Sequence, residues 1–162
     1  MENLHPTAAR VRDAAAALGL EVEVVAFPDG TRTADDAARA VGCDVGQIVK
    51  SLVFVAGDDP VLALVSGANR LDESKLAGVL GIDAAEVRRA SADEVRAATG
   101  FAVGGVPPFG HETSLRCVVD ADLLTHDVVW AAAGTPTHVF SVAPDKLVAA
   151  IGAPAADLAA PA

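Results

Sequence analysis

Tyrosine is missing from this chain, tryptophan and methionine occur once each, and five phenylalanines supply the remaining aromatic rings. With so few large side chains, the core has to be assembled from alanine, valine, leucine and isoleucine. Such a core favours close approach of backbone elements and leaves small cavities. Cysteine is nearly missing as well. Cys43 and Cys117 are far apart and in no C-x-x-C pattern, which excludes a disulfide scaffold and a zinc knuckle and leaves two ordinary thiols with no neighbouring base. Basic residues are few: 12 Lys and Arg against 22 Asp and Glu give a formal net charge of −10. Broad binding along duplex nucleic acid draws on many cationic contacts to phosphate. A DNA-coating function is therefore excluded, whereas a footprint on one or two phosphates is not. No run approaches the ~20 apolar residues of a membrane-spanning helix. Met1 to Leu20 carries Glu2, Arg10, Arg12 and Asp13 and has no apolar core of signal-peptide type. The expectation is a soluble, cytoplasmic protein with no membrane partner. His5, His111 and His126 are scattered, and no H-x-E or H-x-x-x-H pairing, Walker sequence or Gly-x-Ser-x-Gly occurs. Neither a metal site nor a cofactor is expected.

What is present reads as one domain over residues 1–152, followed by an Ala/Pro-rich, flexible tail over 153–162. Residues 7–18 form a helix capped by Thr7 and ended by Gly19. A β-branched strand over Val22–Phe27 leads to a Pro28-Asp29-Gly30 turn. Thr33 opens a helix stopped by Gly42, Asp72 opens another through Leu80, and Ser91 with Glu94 forms a capping box for a third that ends at Thr99-Gly100. Strands are expected at Lys50–Ala56 and Val61–Val65, joined as a hairpin through Gly57–Pro60. Further strands fall at Val87–Ala90, Leu115–Asp120, Val128–Ala132 and His138–Val142. Pro144 starts a last helix to Ile151. The sum is an α/β (α+β) architecture: a mixed, largely antiparallel curved sheet or partly closed barrel flanked by helices.

Two segments suggest chemistry. Gly104-Gly105-Val106-Pro107-Pro108-Phe109-Gly110-His111 follows a strand-like Phe101-Ala102-Val103. Its glycines permit positive φ and close approach of another molecule, and its prolines stiffen the loop and remove donors. A stiff loop with a few aimed N–H groups can hold a carbonyl or an oxyanion; an ordinary turn is the alternative. Lys50 stands at the mouth of the apolar run Ser51-Leu52-Val53-Phe54, where a lysine commonly snorkels to water.

Taken with the Gly134–His138 segment, these residues resemble the YbaK/EbsC family of aminoacyl-tRNA deacylases, which is similar to the editing domain inserted in bacterial prolyl-tRNA synthetases. The resemblance covers about residues 20 to 152. Three segments carry it: Thr31–Gly42 as the family's first helix, Gln47–Phe54 as the strand with its key lysine, and Gly104–Pro108 as its Gly-x-x-x-Pro loop. It implies hydrolysis of the ester joining a wrong amino acid to the 3′ adenosine of a tRNA. By the same resemblance Lys50 holds a phosphate, ribose hydroxyl or ester carbonyl, and the loop at Gly104, Gly105, Pro108 and Gly110 binds the substrate carbonyl through its backbone. His138 faces the amino-acid pocket as a contact for the α-amino group. Phe27 and Thr33 line the pocket, and Ser66 and Asp120 end strands that reach it. The expected partner is the acceptor end of a mischarged tRNA, tRNA-Pro first, bearing Ala, Ser, Thr or Cys, with prolyl-tRNA synthetase as a candidate protein partner. The attacking group is water or a group of the substrate. The alternative is a non-catalytic module that binds aminoacyl-tRNA 3′ ends or a synthetase.

Overall fold

The structure is a computed structural model that describes residues 4–27 and 33–161. Helix α1 spans Pro6–Ala17, and the others are α2 (Ala34–Val41), α3 (Glu73–Leu80), α4 (Ala92–Thr99) and α5 (Pro144–Ile151). Strands β1 (Val24–Ala26), β7 (His138–Val142) and β6 (Val129–Ala132) form an antiparallel sheet in the order β1-β7-β6. Strands β2 (Val49–Ala56), β3 (Asp59–Ser66), β4 (Val87–Arg89), β5 (Arg116–Asp120) and β8 (Ala155–Ala156) form a second sheet in the order β4-β2-β3-β5-β8. The mixed, largely antiparallel architecture flanked by helices is thus present, built as two sheets rather than one closed barrel.

Helix boundaries follow the caps. Thr33 accepts from the Asp36 N–H at 3.1 Å, Asp72 accepts from Ser74 and Lys75, and Ser91 and Glu94 close a capping box. Gly42, Gly81, Gly100 and Gly152 end their helices in the left-handed conformation. At α1 the expected cap moves by two residues. Pro6, which has no N–H to satisfy, takes the first helical position, and the His5 Nδ1 accepts from the Thr7 N–H.

Strand β3 is buried along Val61–Ser66 because both of its faces are covered. Leu62 and Leu64 join Val49, Val53, Phe109, Val119 and Phe140 in a core closed by α1, α4, α5 and the smaller sheet. Val61, Ala63 and Val65 face the opposite way onto Leu76, Ala77 and Leu80 of α3. A run buried on both faces reads as continuous apolar sequence. β5 runs parallel to β3, after a crossover through α3 and α4.

Three expectations are corrected. Phe101–Val103 is not a strand: the Phe101 N–H donates to the Thr99 hydroxyl, and the Ala102 carbonyl accepts from Gly105, so the segment closes into a turn. The strand expected from Val22 shortens to Val24–Ala26, and the Pro28–Gly30 turn lies outside the described residues. Residues 153–161 are packed, not frayed. β8 pairs with β5, Leu158 is fully buried, and the Lys75 Nζ holds both the Ala159 carbonyl and the Asp157 carboxylate. The buried leucine, the β8 pairing and the Lys75 contacts together anchor an otherwise bland segment.

Candidate functional site

Strand β2 has one edge fully paired with β3 and the other paired at its ends alone. The Ala90 N–H donates to the Val53 carbonyl where β4 departs, and Ile48 bridges Trp130 of β6. Between these points no described strand is hydrogen-bonded to residues 49–52 along this second edge. A cavity of about 300 Å³ opens over this gap, at the small end of ligand-site volumes. Its walls are Thr33, Ala34, Ala37 and Val41 of the α2 region, residues 48–52, Arg89, the loop residues Val103, Gly104 and Val106, residues 130–132, and Thr135, Pro136, His138 and Val139.

Lys50 is half-buried in that wall, and its Nζ donates to the Asn69 carbonyl. An ammonium carries three N–H donors, so two remain for a ligand. Burial pulls the Lys50 ammonium below the ordinary lysine value of 10.5, the Arg89 guanidinium adds to the fall, and the Asp120 carboxylate opposes it. Asp120 itself is fully buried. It accepts from the Ser66 N–H, from the Asn69 side-chain amide at 2.8 Å and from the Asp122 N–H, which fixes the turn that presents the Asn69 carbonyl.

On the facing wall, the Thr135 and Thr137 hydroxyls lie 2.6 and 3.1 Å from the His138 Nδ1. Nε2 has no hydrogen-bond partner among the described residues. Burial, and then the nearby His5 ring 5.5 Å away, lower the His138 pKa. Neutral imidazole is the favoured form. Ser51 brings a further polar group. Its Oγ is buried and, among the described residues, is the one buried side-chain oxygen or nitrogen without a partner. Val53 turns its carbonyl to the open edge, and by two-residue alternation the Ser51 N–H and C=O face the same way.

Lys50, Thr33, Gly104 and His138 are therefore brought together at one cavity, whereas the other expected site residues are not. The Gly105 N–H is consumed by the Ala102 carbonyl, and a Cβ on Gly105 would lie 2.7 Å from the Gly134 carbonyl oxygen. Gly105 is the contact between two cavity walls, not a donor to the cavity. The neighbouring Val106 is buried, lines the cavity, and its N–H has no acceptor among the described residues. Gly110 packs against Ala14 of α1, Pro108 is buried away from the lining, and the His111 ring pins the Pro107 carbonyl at 2.7 Å. Ser66 is buried below the site, its hydroxyl donating to the Gly46 carbonyl. Phe27 extends the β1–β7 ladder through the Thr137 carbonyl and is not part of the lining. Arg89, Ser51, Asn69 and Trp130 went unnoticed in the sequence. An arginine ending an edge strand carries no local signal, and a serine in an apolar strand carries a faint one. The Cys117 thiol is pushed up to about 12 by burial, so it stays protonated. Among the described residues no three His, Cys, Asp or Glu side chains converge on a possible metal position, and no helix is long and apolar enough to cross a membrane.

Residues 28–150 match the aminoacyl-tRNA editing domain. The chain belongs to that family. It is 41% identical over 100 residues to the proline–tRNA ligase of Lactobacillus gasseri, 62% of this chain but 17% of that enzyme, so it spans about a sixth of the relative's length. It is 30% identical over 128 residues to the uncharacterized protein YwhH of Bacillus subtilis, covering 78% of this chain and 80% of that one. A crystal structure described as a candidate trans-editing enzyme for prolyl tRNA synthetase superposes with a TM-score of 0.92 at 49% identity, over 98% of this chain and all of the other.

Proposed function

We propose that this editing-family chain is a free-standing deacylase that hydrolyses the ester between a wrongly attached small amino acid and the 3′ adenosine of tRNA-Pro. The observation that carries the reading is the cavity itself. In a family of editing domains, one small cavity is lined by the lysine, the glycine loop and the histidine that the resemblance singles out.

The chemistry needs no triad. Water, or a group of the substrate, adds to the ester carbonyl carbon. The attacking group gives up a proton as the carbonyl oxygen gains charge, the bond to the ribose oxygen breaks, and that oxygen takes up the proton and leaves as the ribose hydroxyl. The Lys50 ammonium, tethered at Asn69, stabilises the developing charge electrostatically. The Val106 N–H takes the carbonyl-binding role expected of Gly105. The Ser51 hydroxyl and the His138 Nε2 provide polar contacts for the amino-acid end. Small side chains such as Ala34, Ala37 and Ala131 let a small aminoacyl group lie close against the wall.

The test is a release assay on tRNA-Pro charged with Ala, Ser, Thr or Cys, with prolyl-tRNA-Pro as the correct product. At least one of the four is released and the correct product is spared, and EDTA leaves the rate unchanged. If none of the four is released above background, the protein is a binding module and not a deacylase.

A further inference from the structure

In a chain of net charge −10, the charged side chains among the described lining residues of the cavity are both cationic: Lys50 and Arg89. They are close enough that the Arg89 charge lowers the Lys50 pKa, and among the described residues no carboxylate pairs with either. The neighbour Arg88 shows the contrast. Successive residues of a strand face opposite ways, and Arg88 forms two 2.8 Å bonds to Glu94 on α4. Arg89 turns to the other side. Its guanidinium sits 5.6 Å from the centroid of the buried Phe54 ring. That contact steadies a planar donor fork without using its N–H groups. The buried Asp120 carboxylate offsets part of the Lys50 charge, no described carboxylate bonds to Arg89, and a ligand of negative charge relieves the repulsion that remains between the two cations.

We infer that Arg89 is a phosphodiester-binding residue at the cavity mouth, which grips the single-stranded 3′ end of the nucleic acid while Lys50 works further in. The anion site stands on charge and geometry alone. Its assignment to a nucleotide backbone, rather than to a free anion, rests on the acceptor-end reading above. Arg89 thus serves binding, and the ester contacts other groups.

Binding of the trinucleotide CCA, of adenosine and of inorganic phosphate is measured by amide chemical-shift titration, with the wild type, Arg89→Gln and Arg88→Gln. Arg89 is exposed on an edge strand, so its loss leaves the fold intact. Arg89→Gln weakens CCA binding about tenfold and flattens its salt dependence by roughly one phosphate's worth. Adenosine binding is unchanged, Arg88→Gln behaves as wild type, and phosphate binds far more weakly than CCA. Equal CCA binding by wild type and Arg89→Gln overturns the inference. So does an equal loss in Arg88→Gln, which would mean overall charge alone, or phosphate binding as tight as CCA, which would mean a generic anion site. These readouts need no hydrolysis. A chain that binds CCA through Arg89 yet deacylates nothing refutes the enzyme and keeps the inference. In an active chain, Arg89→Gln raises KM for aminoacyl-tRNA.

Discussion

Gly105→Ala is the substitution for which the structure makes the sharpest demand. Gly105 is buried, and an added Cβ would meet three backbone atoms: the Gly134 oxygen at 2.7 Å, the Gly134 carbonyl carbon at 2.9 Å and the Thr135 Cα at 2.9 Å. Backbone cannot rotate away as a side-chain tip can. To bring the shortest of these out to the 3.4 Å at which ordinary contact begins, the two loops must part by about 0.7 Å. Overpacking of this kind costs typically 1–3 kcal/mol, which in a domain of this size lowers Tm by roughly 2–12 °C. The displaced segment carries Thr135 and, three residues on, His138, so the cavity widens between its walls. Displacements approaching 1 Å cost on the order of 10²-fold in rate. Gly104→Ala is the control. Its φ is +90° but its Cβ would meet nothing closer than the Pro136 Cγ at 3.9 Å, so it bears a conformational cost of ~1–2 kcal/mol without prising the loops apart. Thermal unfolding by circular dichroism and kcat/KM on mischarged tRNA-Pro are the assays. A Gly105→Ala protein with wild-type Tm and wild-type kcat/KM would refute the role of Gly105 as the seam between the walls.

Ser51→Ala should remove a buried hydroxyl that has no partner among the described residues. Tm then holds or rises, because an unsatisfied buried polar group costs ~1–3 kcal/mol, while kcat/KM falls about tenfold; a drop in Tm with unchanged activity would make Ser51 structural. The pH profile tests Lys50. Its pKa in the folded state lies below that of the unfolded chain, so the folded protein releases this proton first, and between the two values stability rises with pH. Activity runs the other way: the ammonium is lost as pH climbs through the depressed value, and the background-corrected rate should fall at a pH below 10.5. Lys50→Arg, whose charge persists, should abolish that fall, and an identical alkaline limb in both proteins would dissociate it from Lys50.

Local chemistry was readable in the sequence, and long-range packing was not. Thr33 with Gly42, Asp72 with Gly81, and Ser91 with Glu94 announce helices because the groups that satisfy the orphan N–H groups lie within three residues. The β2–β3 hairpin is equally local. Residues 153–161 read as free chain because nothing in Ala-Pro-Ala-Ala reveals that β5 offers an edge or that α3 leaves a place for Leu158. The glycine loop stands out in the sequence, but which of its N–H groups are already bonded does not. That the Gly105 N–H turns back to Ala102 while Val106 faces the cavity depends on φ/ψ values that two adjacent glycines leave open. Lys50 stood out through the family resemblance, yet its tether to Asn69 and the Asp120 carboxylate beneath required β2, β3 and β5 to be in place. Arg89 was hidden for the same reason: its meaning lies in which face of β4 looks onto the gap in β2.

The most direct measurement is single-turnover release of the amino acid from mischarged tRNA-Pro by wild type and by Lys50→Ala at equal folded concentration. Wild type should release at least one of Ala, Ser, Thr and Cys, and Lys50→Ala should do so ~10²-fold or more slowly, the scale of one electrostatic contact to the transition state, with Tm unchanged. Equal rates in the two proteins would contradict a cavity in which Lys50 stabilises the charge that develops on the ester.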